Sequence, residues 1–455
     1  LLYCFGPEGS TDAGTIVEPA GAKGPSQNQS VAQPPSAVLP GPAQPRAAVP
    51  HDEMFAEAAA TILRQTGVRR GYGLVLGVKT GQLAVELARQ SELMIYAVSS
   101  DAQAVAAARK TADAAGLYGA RVCVDHCPSE PLPYSDYFAN LIVSESAMLD
   151  GPVGTSPGEV SRILKPLGGV AILGQPADPP AGVLPRDAAT LRAWLDQDKL
   201  ADGTVFEEHG RSAVLRRGPL PGAGSWTHEY AEPGNTACSD DQLVRGPLGV
   251  LWFGNPGPGQ MLSRHDRAAS PLSIDGRLFV QGDHVLMAYD AYNGVKFWER
   301  ELRGAVRSNA SHDGSNLAVC HERLFVAVGD KCLGLDPATG ETQITYAIPP
   351  ATDRKTRRWG YLACADKTLY GSRGVRPVSS ECVFALEVES GKPRWIYEGK
   401  QIQHNTIALS DGRMFLIDGN VAPSERKEIL DELPPADRAM ADVRVVVALD
   451  ARTGR

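Results

Sequence analysis

The sequence lacks long apolar runs, an excess of positive charge and closely spaced cysteines. No apolar run approaches the roughly 20 residues that span a bilayer as a helix, so we predict no membrane span. The formal net charge is −8, with 45 Lys and Arg against 53 Asp and Glu. This balance argues against a nucleic-acid partner, because basic side chains would have to hold its phosphates.

The eight cysteines contain no Cys-x-x-Cys pair and no Cys/His spacing typical of a zinc site. We therefore predict no metal site and expect most of the cysteines to be buried free thiols. Cys320 and Cys332 could be neighbours in one small sheet, so a disulfide between them stays open.

What is present is a globular composition, with 43% hydrophobic and 22% charged residues. A chain of 455 residues is too long for one ordinary core, so two or three domains are expected. Residues 1–50 are rich in Pro, Gly, Ala, Ser and Gln, and we predict a disordered tail or linker. Because the chain begins with Leu1 rather than Met and ends just after a Thr-Gly turn, we expect a piece of a longer protein.

Residues 51–219 alternate between short buried strands and helical segments. The strands fall near 74–76, 94–98, 121–124, 141–143 and 170–173, and the helices near 54–63, 82–89, 104–115, 158–164 and 187–200. A polar hairpin near 205–216 follows them. This alternation predicts an α/β doubly wound domain, with a parallel sheet covered by helices on both faces.

Four segments of this domain carry a family pattern: the glycine-rich loop in 74–81, the strand end at 97–99, Asp125 with 132–134, and the turn at 162–169. On these segments the domain resembles a class I S-adenosylmethionine-dependent methyltransferase with a Rossmann-like fold. The resemblance implies S-adenosylmethionine as cofactor, in a site formed by Gly77, Gly81, Ser99 or Asp101, and Asp125.

Three residues depart from that family. Val75 stands where an acidic residue is usual, Lys79 replaces the middle glycine of the loop, and Ser99 replaces the acidic residue that holds the cofactor ribose. A carboxylate on two ribose hydroxyls makes charge-assisted hydrogen bonds worth about 1.5–3 kcal/mol each. Its loss lowers affinity about tenfold or more, although Asp101 could partly substitute. A degenerate module and an active methyltransferase both stay open.

A Gly- and Pro-rich linker at 218–224 leads into residues 220–455, which contain five of the six tryptophans. A hairpin pattern occurs four times here, with its acidic residue at Asp290, Asp336, Glu387 and Asp450. The intervals are 46, 51 and 63 residues, which indicates propeller blades. The last interval carries a charged insert, for which we predict a short helix over 424–433.

The repeats share the signature Ala-x-Asp-x-x-Thr-Gly-x-x-x-x-Trp, with matches such as Asp290, Gly294 and Trp298. They resemble quinoprotein-type (PQQ-like) β-propeller repeats, which implies an all-β partial propeller of about four blades. Ile344 stands near the position of the second Trp. We expect each acidic residue to cap its hairpin and each Trp to pack between blades. The resemblance makes PQQ a candidate cofactor, although the vicinal cysteine pair of quinoprotein alcohol dehydrogenases is absent. The two regions together resemble large extracytoplasmic proteins of planctomycete-type bacteria, so we expect export.

Candidate catalytic residues lie in loops before the first full blade. His228, Arg264 and His265 could bind an anionic group or transfer protons, or they could be surface histidines and loop ion pairs. The leading functional hypothesis is a binding or scaffold role, in which propeller loops contact a small molecule or a protein. The alternatives are an active S-adenosylmethionine-dependent methyltransferase and a quinone-dependent oxidoreductase.

Overall fold

The computed structural model describes residues 2–7, 50–149, 151–175, 187–209, 211–255, 259–262, 268–307, 315–350, 357–376, 378–419, 421, 423–435, 438 and 444–455. Within these residues, no helix is both long enough and apolar enough to cross a bilayer.

Strand β1 (Leu2–Pro7) precedes an α/β domain. The elements of this domain are α1 (Pro50–Thr66), β2 (Arg70–Leu76), α2 (Gln82–Arg89), β3 (Glu92–Ser99), α3 (Ala102–Ala114), β4 (Val122–His126), β5 (Leu141–Ser144), α4 (Glu145–Leu149), α5 (Pro157–Ile163), β6 (Gly169–Gly174), α6 (Ala188–Leu195), β7 (Thr204–His209) and β8 (Ser212–Arg217).

The sheet of this domain has the order β4-β3-β2-β5-β6-β8-β7. All neighbours are parallel except β8, which runs antiparallel to β6 and β7. Successive side chains of a strand point to opposite faces. Val75 of β2 therefore lies in the core under α1, α2 and α3, and its neighbours Leu74 and Leu76 lie in the core on the other face. The predicted doubly wound domain is confirmed.

Among the elements that the structure describes in full, the second region is all β apart from one helix and one 3-10 turn. Its strands are β9 (Leu248–Gly254), β10 (Leu272–Ile274), β11 (Arg277–Gln281), β12 (Val285–Asp290), β13 (Lys296–Glu301), β14 (Leu317–Val319), β15 (Leu324–Val328), β16 (Lys331–Leu335), β17 (Thr342–Ala347), β18 (Arg358–Ala365), β19 (Thr368–Arg376), β20 (Ser379–Glu387), β21 (Pro393–Gln403), β22 (Ala408–Ser410), β23 (Arg413–Gly419) and β24 (Arg444–Asp450).

Strands β10 to β21 form three consecutive four-stranded antiparallel sheets, and β22, β23 and β24 form a three-stranded one. These four sheets confirm the predicted propeller-like region. Helix α7 (Pro423–Glu432) lies between β23 and β24, where the sequence predicts a short helix.

An aromatic side chain joins each sheet to the next. Its polar hydrogen is donated to the backbone carbonyl that directly follows the acidic residue of the next hairpin. The four bonds are Trp252 Nε1 to Ala291 O at 3.0 Å, Trp298 Nε1 to Pro337 O at 3.1 Å, Tyr346 Oη to Val388 O at 2.5 Å and Trp395 Nε1 to Ala451 O at 2.9 Å. The expected packing of tryptophans between blades is confirmed. At the third junction the residue is Tyr346, and not Ile344 as the spacing suggests.

The glycine of each hairpin makes room for the aromatic ring. A Cβ at Gly340 would lie 2.8 Å from Trp298, and one at Gly454 would lie 2.6 Å from Trp395. Both glycines also have positive φ, at 75° and 73°, which favours glycine on conformational grounds. The Asp-to-Gly spacing of the repeat is thus a packing requirement as well as a turn signal.

Replacing Tyr346 with phenylalanine is expected to lower the free energy of unfolding by about 1–3 kcal/mol, because the buried carbonyl of Val388 loses its donor. Urea unfolding followed by circular dichroism measures the change. Tyr118→Phe is the matched control, since Tyr118 is 43% exposed, and it should shift stability by less than about 0.5 kcal/mol. Equal effects of the two substitutions would show that the junction bond contributes nothing.

Strand β1 pairs with β9, in antiparallel register from Leu2 with Gly254 to Pro7 with Leu248. These two strands form a sheet of their own, and β9 contributes Trp252 to the first aromatic junction. The α/β domain therefore lies, in sequence, between two paired strands of the propeller region. Residues 2–7 differ from the predicted tail, while residues 8–49 lie outside the described part.

The α/β domain and the first four-stranded sheet share a buried polar interface. Lys165 Nζ lies 2.9 Å from Asp290 Oδ2, and the two side chains are 7% and 0% exposed. Asn293 Nδ2 donates to Phe138 O and to Asn140 Oδ1, both at 2.9 Å. Because Asn140 and Lys165 precede β5 and β6, the propeller region contacts the amino ends of the parallel strands.

Candidate functional site

The opposite edge of the α/β sheet carries a cleft of about 570 Å³. Loops after β2, β3, β4 and β5 surround it, so it lies at the carboxyl ends of the parallel strands. The strand order reverses between β3-β2 and β5, and ligands of doubly wound sheets bind at such a switch point. The propeller region, which contacts the amino ends, leaves this cleft open.

The loop after β2 shapes the floor of the cleft. Gly77 has a φ of 57°, and a Cβ there would overlap Ser146 Oγ, so only glycine fits between β2 and the segment after β5. Gly81 has a different role. It does not line the cleft, and a Cβ there would lie 2.8 Å from Ala108 Cα, where α2 approaches α3.

Glu145 fills the inside of this loop. It is fully buried, and its Oε1 accepts hydrogen bonds from Thr80 N and Thr80 Oγ1, both at 2.7 Å. Burial raises the pKa of the Glu145 carboxyl, although these bonds and the nearby amides of Lys79 and Gly81 act in the opposite direction. Thr80 donates both of these hydrogen bonds, and Oε2 has no partner among the described residues.

Glu145 thus supplies an acidic group to the loop from the neighbouring strand, while Val75 occupies the acidic position of the family pattern. Strand register explains how Glu145 can take the place of an acidic residue at position 75. Leu76 of β2 pairs with Ser144 of β5, which directly precedes Glu145. Glu145 was not among the residues predicted from the sequence. Its only signal was an acidic residue two positions after the buried run at 141–143.

Three of the predicted cofactor residues line the cleft: Gly77, Ser99 and Asp101. Asp101 caps helix α3, with Oδ1 accepting from Gln103 N at 2.8 Å and Ala104 N at 3.4 Å. Ser99 Oγ accepts from Asp101 N at 3.2 Å. The Asp101 carboxylate, which could have bound the cofactor ribose, therefore already stabilises the N-terminus of helix α3.

The fifth predicted residue, Asp125, does not line the cleft either. Its Oδ2 accepts a hydrogen bond from Tyr134 Oη at 2.9 Å. Lys79, which replaces a family glycine, is exposed at the cleft and adds a positive charge there. The cleft thus lies at the switch point where ligands of doubly wound sheets bind, while its charged groups differ from the pattern of the methyltransferases that the sequence resembles.

In the propeller region, His228 is a buried structural residue. Its side chain receives a hydrogen bond at Nε2 from Cys364 N at 3.0 Å, so the ring proton is on Nδ1, which contacts Thr227 Oγ1 at 2.8 Å. Burial lowers the pKa of His228 to about 4. Both ring nitrogens are engaged, and this arrangement does not suit proton transfer. Arg264 and His265 lie outside the described residues.

A second cavity of about 350 Å³ lies between the segment that contains His228 and the inner strands of the sheets. Tyr361, His404 and Asn405 contribute to its wall. Behind the wall, His404 Nε2 lies 2.7 Å from Ser380 Oγ. Among the described residues, no group of three or more His, Cys, Asp and Glu side chains could hold a metal ion.

Comparisons with known proteins match part of the second region. Residues 250–422 match the PQQ-type family model described as outer membrane protein assembly factor BamB. No curated protein matches the chain.

Among solved structures, a candidate S-adenosyl-L-methionine-dependent methyltransferase from Methanococcus maripaludis is 20% identical, over 37% of this chain and 86% of its own, with a TM-score of 0.32. Quinohemoprotein alcohol dehydrogenase from Comamonas testosteroni is 16% identical, over 51% of this chain and 40% of its own, with a TM-score of 0.39. BamB from Moraxella catarrhalis is 14% identical, over 42% of this chain and 51% of its own, with a TM-score of 0.27.

The matched part of the chain therefore spans about two fifths of the alcohol dehydrogenase and about half of BamB. Over residues 250–422 the second region is thus similar to the PQQ-type BamB family model, and it follows a doubly wound α/β domain.

Proposed function

We propose that this protein is a binding or scaffold protein, in which the propeller sheets and a methyltransferase-like domain without transfer activity form one unit. The observation that carries the proposal is the position of Glu145. Helix N-termini and their preceding loops bind anionic groups through free backbone N–H groups. Here the Glu145 carboxyl accepts the N–H of Thr80 and approaches those of Lys79 and Gly81, so a ligand anion would have to displace it.

The ribose side of the cleft supports the same conclusion. Ser99 cannot supply the charge-assisted bonds of a carboxylate, and Asp101 Oδ1 is occupied by two backbone N–H groups. Lys79 adds a positive charge to the cleft, which is unfavourable for a sulfonium cofactor of the same sign. Each of these features weakens the binding of S-adenosylmethionine.

Isothermal titration of the full chain with S-adenosylmethionine tests the proposal, and a dissociation constant weaker than about 1 mM is expected. Ser99→Asp restores a carboxylate at the end of β3 and should tighten binding about tenfold or more. Ser100→Asp is its matched control, since it adds the same charge one residue further on and leaves Ser99 unchanged. It should produce a smaller gain in affinity.

Micromolar affinity of the unmodified chain would overturn the proposal and favour the second candidate, an active methyltransferase. The open cleft at the switch point favours that candidate.

Two variants of α3 distinguish binding of S-adenosylmethionine in this cleft from binding elsewhere. Ala107 lines the cleft and Ala106 does not, and both are exposed, so Ala107→Trp should abolish genuine binding while Ala106→Trp retains it.

The second cavity supports a small-molecule partner for the propeller region. Its volume of about 350 Å³ is within the range of ligand pockets, and its wall combines aromatic and polar side chains such as Tyr361 and Asn405. His228 is buried and both of its ring nitrogens form hydrogen bonds, so it gives no support to quinone-dependent oxidation by the predicted catalytic residues.

A further inference from the structure

Two cysteines from neighbouring propeller sheets lie next to each other. Cys320 occupies the turn between β14 and β15, and Cys364 lies in β18. Both are free thiols, and Cys320 packs against the buried cluster that contains Cys364. Cys332, for which the sequence left a disulfide with Cys320 open, is also a free thiol and is buried in β16, opposite Ala327 and Tyr346. Cys320 and Cys364 thus form a pair between two neighbouring sheets.

The backbone on both sides fixes the position of the two thiols. Val319 N, one residue before Cys320, donates to Thr227 O at 3.0 Å. Cys364 N donates to the ring of His228 at 3.0 Å. The dipeptide Thr227-His228 thus contacts the segments that contain both cysteines and positions them close to each other.

The two thiols differ in the direction of their pKa shifts. The neighbouring Cys364 thiol, followed by the backbone N–H groups of Glu322 and Arg323, lowers the pKa of Cys320 although burial opposes this shift. The neighbouring Cys320 thiol and burial raise the pKa of Cys364. Because the thiolate is the nucleophile in disulfide exchange, Cys320 is suited to attack and Cys364 to resolve.

We propose that Cys320 and Cys364 form a redox-active pair, which a small-molecule disulfide converts into a disulfide between the second and third four-stranded sheets. The Cys320 thiolate attacks one sulfur of the reagent, forming a mixed disulfide and releasing one thiolate. The Cys364 thiol then loses its proton to solvent, and its sulfur attacks Cys320 Sγ. A second thiolate leaves, so the reagent gains two electrons and the protein loses two.

Treatment of the reduced full chain with oxidised glutathione tests this assignment. After alkylation and trypsin digestion, mass spectrometry should detect peptide 308–323 joined to peptide 359–367, a product that dithiothreitol separates. Each of these peptides contains one cysteine, so the linkage is unambiguous. A stable glutathione adduct on Cys320 of the unmodified chain would overturn the proposal, as would modification of the exposed Cys238 alone.

Cys364→Ser removes the resolving thiol, and this variant should accumulate a glutathione adduct on Cys320. Cys320→Ser removes the attacking thiol and should leave Cys364 unmodified, which provides an independent result if the first variant does not fold. Cys332→Ser is the matched control, because Cys332 is a buried free thiol in the same sheet as Cys320, and it should form the joined peptides as the unmodified chain does. Circular dichroism verifies folding of each variant, and linkage of Cys364 to any cysteine other than Cys320 would contradict the pairing.

Discussion

Replacing Lys165 with methionine is expected to lower the free energy of unfolding by about 3–5 kcal/mol. Lys165 and Asp290 form an ion pair at 2.9 Å between the α/β domain and the first four-stranded sheet, and the Asp290 side chain is fully buried. The substitution leaves this carboxylate buried without its counter-charge. It also removes the donor to Pro166 O and Leu167 O, at 3.0 and 3.1 Å. Urea unfolding followed by tryptophan fluorescence and circular dichroism measures the loss.

A second substitution separates the charge from the packing. Asp290→Asn retains an oxygen that can accept from Tyr292 N, as Asp290 Oδ1 does at 3.0 Å, and it removes the unpaired charge. In the Lys165→Met background it should recover a large part of the lost stability, whereas alone it should be destabilising.

Lys199→Met is the matched control for the ion pair. Its partner Asp202 lies at 3.6 Å, and the two side chains are 88% and 78% exposed, so the loss should be below about 1 kcal/mol. If Lys165→Met costs as little as Lys199→Met, the buried pair does not hold the two regions together.

Acidification is expected to destabilise the protein through His228. Its pKa is about 4 in the folded chain because burial disfavours the charged ring, whereas an unfolded histidine titrates near 6.5. The unfolded chain therefore binds a proton first as the pH falls. The stabilisation from neutral His228 is complete above about pH 6.5 and decreases through pH 4, by about 2 kcal/mol at pH 5 and about 3 kcal/mol in total.

His228→Gln isolates this contribution. Glutamine has an acceptor for Cys364 N and a donor for Thr227 Oγ1, but it does not titrate. Between pH 7 and pH 5 the variant should lose about 2 kcal/mol less stability than the unmodified chain in urea unfolding. His126→Gln, at an exposed position that contacts Ser100 O, should retain the original pH dependence. Parallel pH curves for the unmodified chain and His228→Gln would contradict this assignment.

The hairpins could be predicted because their determinants are local. An acidic residue that accepts nearby backbone N–H groups, as Asp336 does from Ala338 and Thr339 at 2.7 and 3.1 Å, acts within one turn. The aromatic residue of each junction acts between sheets, and sequence spacing alone selected Ile344 where the structure has Tyr346. A bulge between Gly334 and Leu335 shifts the register of β16 and β17, and such shifts leave no clear signal in the sequence.

The candidate site was predicted less completely than the fold. Three predicted residues lie at or just after the carboxyl ends of strands: Gly77, Ser99 and Asp101. Because these ends meet at one edge of a parallel sheet, the sequence could place the three residues in one cleft. Glu145 acts on a loop that is distant in sequence, through strand register that only the assembled sheet defines. Lys165 and Asp290 each belong to a motif of their own region, and neither motif indicates that they meet.

The pairing of β1 with β9 also imposes an order on biosynthesis. Leu2 pairs with Gly254, and the ribosome must produce the whole α/β domain between the two strands. At typical translation rates β1 therefore remains without its hydrogen-bonding partner for on the order of tens of seconds. An unpaired strand is a template for association with other chains, so the nascent polypeptide needs shielding of β1 until β9 has emerged.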